Sequence, residues 1–246
     1  MKNILLLILL ISNIGFAQDK KLDSLLTVLN SHKEKDTIRI QHLMAVSNHH
    51  FLSDIDKAEP YLEEAIAIAK LLKDDKLIID LRTQNARNYA TRGLSTEALA
   101  EILEAIKILD RIESTAEEKI KTLNILSTVY RGYGDNEKSL EVALQVLELS
   151  KELPLNNQVP RYHYNAGQSY ATLDNHKKAE WHFFKAQELA KEIGDKHTEI
   201  IMTSVLGDHY KKIGEYQKAK DMIKKSIPYY ELKKQDRNLA SSYRIL

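Results

Sequence analysis

Cysteine is absent from the 246-residue chain. Disulfides and thiolate chemistry are therefore excluded, an oxidising compartment poses no hazard, and stability has to come from packed side chains. Proline and glycine are scarce, at four and eight residues, and most of them fall in the N-terminal stretch or at turns. The remainder reads as nearly continuous helix, with no alternating strand pattern and no long linker. An excess of charge of one sign is also missing, since 36 Lys and Arg face 35 Asp and Glu. That balance argues against nucleic acid or an anionic membrane as the main partner.

The signatures of chemistry are missing as well. There is no HExxH, no phosphate-binding glycine loop and no nucleophile motif. Carboxylates are numerous, but in EEKIK and DNEKS they alternate with lysine, as on solvated helix faces. His42 and His49 are seven residues apart, roughly 10 Å along a helix, too far to share one metal ion without a third ligand between them. His50 lies where helix packing places it, and His163, His176, His182 and His209 fall on different predicted helices. The expectation is no catalytic residue, no cofactor and no metal site.

What is present is a repeat. In the stretch 161–191, RYHYNAGQSYATLDNHKKAEWHFFKAQELAK, Gly167 is followed by Tyr170, Ala179, Phe183 and Ala186. Gly167 and Ala179 are small where two antiparallel helices would cross closely, and Tyr170 fills the space one turn further on. Gly207, Tyr210, Gly214, Ala219, Ile223 and Ser226 hold the same offsets, with Gly214 where the preceding unit has Asp174. So do Ser127, Tyr130, Gly134, Ser139, Ala143 and Val146, and before them Ala86, Tyr89, Gly93, Ala98, Ile102 and Ala105. The first unit is weaker: Val46, His49, Ala58, Leu62 and Ala65. The close-crossing residue falls at 46, 86, 127, 167 and 207, at steps of 40 or 41.

This pattern resembles the tetratricopeptide repeat (TPR). The period, and the absence of the proline that usually ends the 34-residue form, are similar to the long-helix repeats of bacterial signalling proteins and kinesin light chains. The segment ELAKEIGDKHTEI, residues 188–200, looks especially like the joints of that group. The resemblance implies an all-α right-handed superhelix, a solenoid of about five helix pairs plus an N-terminal helix and a partial sixth unit. Such motifs are specific for fold and unspecific for function.

In chain order, residues 1–17 of MKNILLLILLISNIGFAQ read as a signal peptide cut after Ala17, with small residues at the cleavage site and an apolar run short of the roughly 20 residues of a spanning helix; an uncleaved anchor is the alternative. Export to a bacterial periplasm follows as an expectation. Residues 18–36 carry Leu22, Leu25, Leu26 and Leu29 at the spacing of one amphipathic helix, expected to cap the array. The repeat domain then covers 37–246, in units of about 37–76, 77–115, 116–157, 158–196 and 197–237 with a partial unit at 238–246. Helix pairs are predicted at about 37–73, 77–113, 116–153, 158–193 and 197–233. In the fourth joint Gly194 is suited to a left-handed turn and Asp195 to capping the next helix. Phe183 reads as core, and Trp181 and Phe184 are expected to pack between neighbouring second helices.

The resemblance also implies that first helices line a concave groove, at offsets of six and three before the key residue and one and four after it. These positions are Asp80, Thr83, Arg87 and Ala90; Lys121, Asn124, Thr128 and Arg131; Arg161, Tyr164, Gln168 and Ala171; and Ile201, Ser204, Asp208 and Lys211. Arg87, Lys121, Arg131 and Arg161 are candidates to receive a carboxylate or an acidic stretch of an extended peptide, with Asn124 and Gln168 bonding its backbone. Against the carboxylate clamp of chaperone-binding tetratricopeptide domains, Thr83, Arg87, Ile125, Arg161 and Asn165 match only in part, so that clamp is not expected.

The expected partner is a protein or peptide, and the expected role is the sensing or interaction part of a bacterial envelope signalling protein. A stand-alone periplasmic scaffold and a small-molecule sensor are the alternatives. The last helix begins at Asn238 and would expose Leu239, Tyr243, Ile245 and Leu246. We expect the natural chain to continue from there, toward a membrane helix and an output domain; the alternative is an edge that docks a partner or a second copy.

Overall fold

The structure is a computed structural model that describes residues 20–51 and 53–244. The expected signal peptide and its cleavage point lie outside the described residues, as do Ile245 and Leu246. Among the described residues there are twelve helices and no strand. Helix α1 covers 20–31. The rest are α2 (Thr37–Phe51), α3 (Ile55–Leu71), α4 (Asp75–Thr91), α5 (Ser95–Leu109), α6 (Ala116–Tyr133), α7 (Asn136–Ser150), α8 (Val159–Thr172), α9 (His176–Glu192), α10 (Lys196–Lys212), α11 (Tyr216–Leu232) and α12 (Asp236–Tyr243). No described helix is long and apolar enough to cross a membrane.

The joints are short because local chemistry ends one helix and starts the next. Thr115 and Glu118 form a reciprocal capping box on α6, each side chain bonding the other's backbone N–H. Asp135, Asn175 and Asp195 accept from the backbone N–H three residues on, at 3.0–3.3 Å. Gly194 adopts φ +75°, as its position in the sequence suggested. Asp174 replaces glycine at the corresponding turn and takes φ +56°, a conformation that costs a side-chain-bearing residue free energy. Two of the four prolines depart from the expected turn positions, since Pro60 and Pro228 lie inside α3 and α11.

The chain divides into two compact units, one ending at Asn88 and the other starting at Tyr89. In the first unit Leu43, Val46, Ala58, Leu62, Ala65 and Ile68 are buried. Ser47 Oγ donates to the Ala58 carbonyl at 3.0 Å where α2 meets α3. Arg39 ties in the end of α1, donating Nη1 to the His32 carbonyl at 2.7 Å and Nε to Glu64 Oε1 at 2.6 Å.

In the second unit the small residues explain the packing. A Cβ on Gly167 would lie 2.5 Å from Phe183 Cε1 and 3.2 Å from the Ala179 carbonyl; one on Gly207 would lie 2.6 Å from Ile223 Cδ1. Glycine thus lets α8 approach α9 and α10 approach α11 without displacing these side chains. Between α6 and α7 the same crossing is made by serines. Ser127 Oγ donates to the Ser139 carbonyl and Ser139 Oγ to the Ser127 carbonyl, both at 2.8 Å, while Ser169 Oγ on α8 stands 2.7 Å from Ser139 Oγ. Tyr170, Ala179, Phe183, Leu206, Tyr210 and Ala219 join these pairs into one apolar core.

Trp181 and Phe184 do not pack as expected. They are 58% and 38% exposed and border an open surface hollow of ≈ 480 Å³ with Lys185, Gln187, Glu188, Lys191 and Glu199. Trp181 meets His182 edge-on, at 4.8 Å between ring centroids, and His163 of α8 at 5.9 Å, and the rest of its ring is left uncovered.

Candidate functional site

The first helices of successive pairs, α8, α10 and α12, form two adjoining hollows in the second unit. One, ≈ 300 Å³, is lined by Tyr164, Gln168, Ala171, Phe183, Val205, Asp208, His209 and Lys212. The other, ≈ 210 Å³, is lined by Ile201, Ser204, Val205, Asp208, Ile223, Tyr230, Asn238, Ser241 and Ser242. Val205 and Asp208 belong to both. Six of the predicted positions, Tyr164, Gln168, Ala171, Ile201, Ser204 and Asp208, are therefore brought to one continuous surface.

Asp208 is the charged centre of that surface. It makes no hydrogen bond or ion pair among the described residues. Partial burial raises its pKa above the usual carboxylate value, opposed by Lys212, Lys211 and Arg244. Tyr164 leans on Phe183 at 6.2 Å between centroids. Ser204 Oγ and Tyr230 Oη share a hydrogen bond at 2.8 Å. Lys211 Nζ donates to the Arg244 carbonyl at 3.1 Å, tying α10 to the end of α12. His209 is 4% exposed, and its Nε2 has no hydrogen-bond partner among the described residues. Burial lowers its pKa, and so does His176 beside it.

The remaining predicted residues are placed differently. Arg131 on α6 is largely buried near Tyr164, and its Nη1 has no partner among the described residues. Desolvation pulls its pKa below that of an ordinary guanidinium, with Tyr164 opposing the shift. Asn124 is buried rather than presented to a ligand, because its Oδ1 accepts from Asn165 Nδ2 at 2.7 Å. Lys121 and Arg161 are exposed on α6 and α8. Asp80 and Arg87 are exposed on α4 in the first unit.

The offset rule missed Val205, His209, Lys212 and Tyr230, which reach the hollows from the flanks of the same helices and from α11. Asn238, Ser241 and Ser242 line the second hollow from the partial sixth unit, for which no groove positions were predicted. His163 and His182, on different helices in the sequence, have their Nδ1 atoms 3.1 Å apart, and His176 and His209 lie 5.6 Å apart between ring centroids.

No family model matches the sequence, and no curated protein matches it. Solved structures do match. BtubC (BKLC) from P. vanneervenii superposes with a TM-score of 0.73 at 19% identity, covering 85% of this chain and 89% of that one. Aspartyl phosphate phosphatase F from Bacillus subtilis gives 0.74 at 13% identity, over 95% of this chain and 59% of that one. A putative kinesin light chain from Podosopora anserina, described by its nearly identical TPR-like repeats, gives 0.67 at 15% identity over 80% and 97%. The fold is that of tetratricopeptide-repeat proteins. At these identities the likeness concerns fold alone, and the tetratricopeptide fold here is built on the close-crossing residues already described.

Proposed function

We propose that this chain is a non-catalytic protein- or peptide-binding module whose second unit holds an extended segment along α8, α10 and α12. The carrying observation is the pair of adjoining hollows that share Asp208. Both are open and small, which suits successive side chains of a peptide better than one enclosed small molecule. A basic group of the ligand would meet Asp208, while a carboxylate would meet Lys212. A Rap protein solved in complex with competence and sporulation factor has the same fold, with a TM-score of 0.73 over 87% of this chain, and lends this reading support.

The test is selection of random displayed peptides on the purified chain. Enriched peptides should lose binding to Asp208→Lys and Lys212→Glu and keep it to Trp181→Ala. Peptides indifferent to both groove substitutions would overturn the reading.

We further propose that the module is exported and serves in envelope signalling. Support comes from the N-terminal stretch with its short apolar run and small residues before Gln18. N-terminal sequencing of the protein from its native host should begin at Gln18; retention of Met1 would remove the basis for export.

A further inference from the structure

His163 on α8 and His182 on α9 face each other with Nδ1 atoms 3.1 Å apart and ring centroids 5.3 Å apart. Imidazole nitrogens bind transition ions at about 2.0–2.1 Å, so two nitrogens at this separation close on one ion at an angle of roughly 100°. That angle falls within the range of tetrahedral and square-planar coordination. We propose that His163 and His182 together bind a single divalent transition ion of the imidazole-preferring class, Cu²⁺ ahead of Zn²⁺.

The order of metals follows from the donor set, two neutral nitrogens, and the general ranking of affinities for such sites. Hard cations are disfavoured, since Ca²⁺ and Mg²⁺ require oxygen ligands. The charged groups acting on the pair are Lys185, toward His163, and Lys178, toward His182. Lys185 Nζ is held by Glu188 at 2.8 Å, and Lys178 Nζ lies over the Tyr170 ring at 5.2 Å. Tyr170 also stacks on His182 at 5.3 Å, fixing the ring that presents Nδ1. The Nδ1–Nδ1 contact is itself a hydrogen bond, so one ring carries its proton on Nδ1 and must shift it to Nε2 for the ion to bind both nitrogens. The remaining coordination positions go to water or to a donor of a docked partner. The ion would clamp α8 to α9 on the side bearing Trp181. The cluster of His32, Glu34 and Asp36 offers one imidazole beside two carboxylates, a harder donor set that suits such ions less well.

The chain carries its own reporter. Trp181 is the sole tryptophan, with its ring 4.8 Å from His182 and 5.9 Å from His163 between centroids. Titrating the purified chain with Cu²⁺ at neutral pH should quench Trp181 emission to a plateau at one ion per chain, with Zn²⁺ competing at higher concentration. His163→Gln and His182→Gln should each weaken binding roughly 10-fold or more with helicity retained, and His32→Gln should leave it unchanged. Electron paramagnetic resonance of the Cu²⁺-loaded wild-type chain should show hyperfine structure from two equivalent-class nitrogens, a readout independent of whether either variant folds. An unsaturable quench, a quench that survives both substitutions, or a spectrum of oxygen ligands alone would overturn the proposal.

Discussion

Gly167 and Asp174 show how single residues set the stability of a pair, in opposite directions. Gly167→Ala puts a Cβ 2.5 Å from the Phe183 ring, with the Ala179 carbonyl at 3.2 Å limiting any retreat. It should destabilise by roughly 1–3 kcal/mol in chemical denaturation. Gly132→Ala is the control, because its nearest neighbour would be Ser95 Oγ at 3.4 Å, and it should be close to neutral. Asp174→Gly relieves the positive φ at the α8–α9 turn and should stabilise by about 0.5–1 kcal/mol. A loss of stability would show that Asp174 makes a compensating interaction through its side chain.

Elements in this fold are specified by what crosses and what caps, and both are short-range patterns that a sequence displays. The five pairs, the N-terminal helix and the partial sixth were legible because the small residues recur at a fixed step and Gly194 and Asp195 carry their own turn chemistry. Six of the sixteen groove positions come to one surface for the same reason, since a helix of known register puts known offsets on one face. What was not legible depends on rotamers and on neighbours from other pairs. Asn124 looks like a ligand-facing amide until Asn165 is seen to occupy it. His163 and His182 are unremarkable until two helices place their rings together. Trp181 reads as packing until α9 is found to leave that side open.

The serine crossing between α6 and α7 gives a test at this scale. Ser139→Ala removes one of the two reciprocal bonds and the contact to Ser169, and should cost about 1 kcal/mol. Ser139→Leu, at a position with no exposure, should cost more by forcing the helices apart. Equal effects would mean that the hydroxyl, and not the closeness of the crossing, is what matters there.

Across the whole molecule, buried histidines couple stability to pH. His163 and His182 titrate at about 4 when folded against about 6.5 when unfolded. Between those values the unfolded chain binds more protons, so stability falls as pH drops below about 6.5 and the loss is complete near 4. Denaturant midpoints measured from pH 7.5 to 4.5 with a chelator present should decline over that window. The decline should shrink in a His163→Gln variant, and an unchanged slope would show that other groups carry it.

The helices of the second unit make their main contacts with near neighbours in the chain, as α6 with α7 and α8, or α8 with α9 and α10. Such an arrangement has mechanical consequences. Pulled from its two ends, the unit has no long-range tether to break all at once, so it should peel away pair by pair. Each event would release a similar contour length, roughly 130–140 Å for one period of the repeat. On an optical trap the crossings at Gly167, Gly207 and Ser127 would then be read as a staircase of even steps.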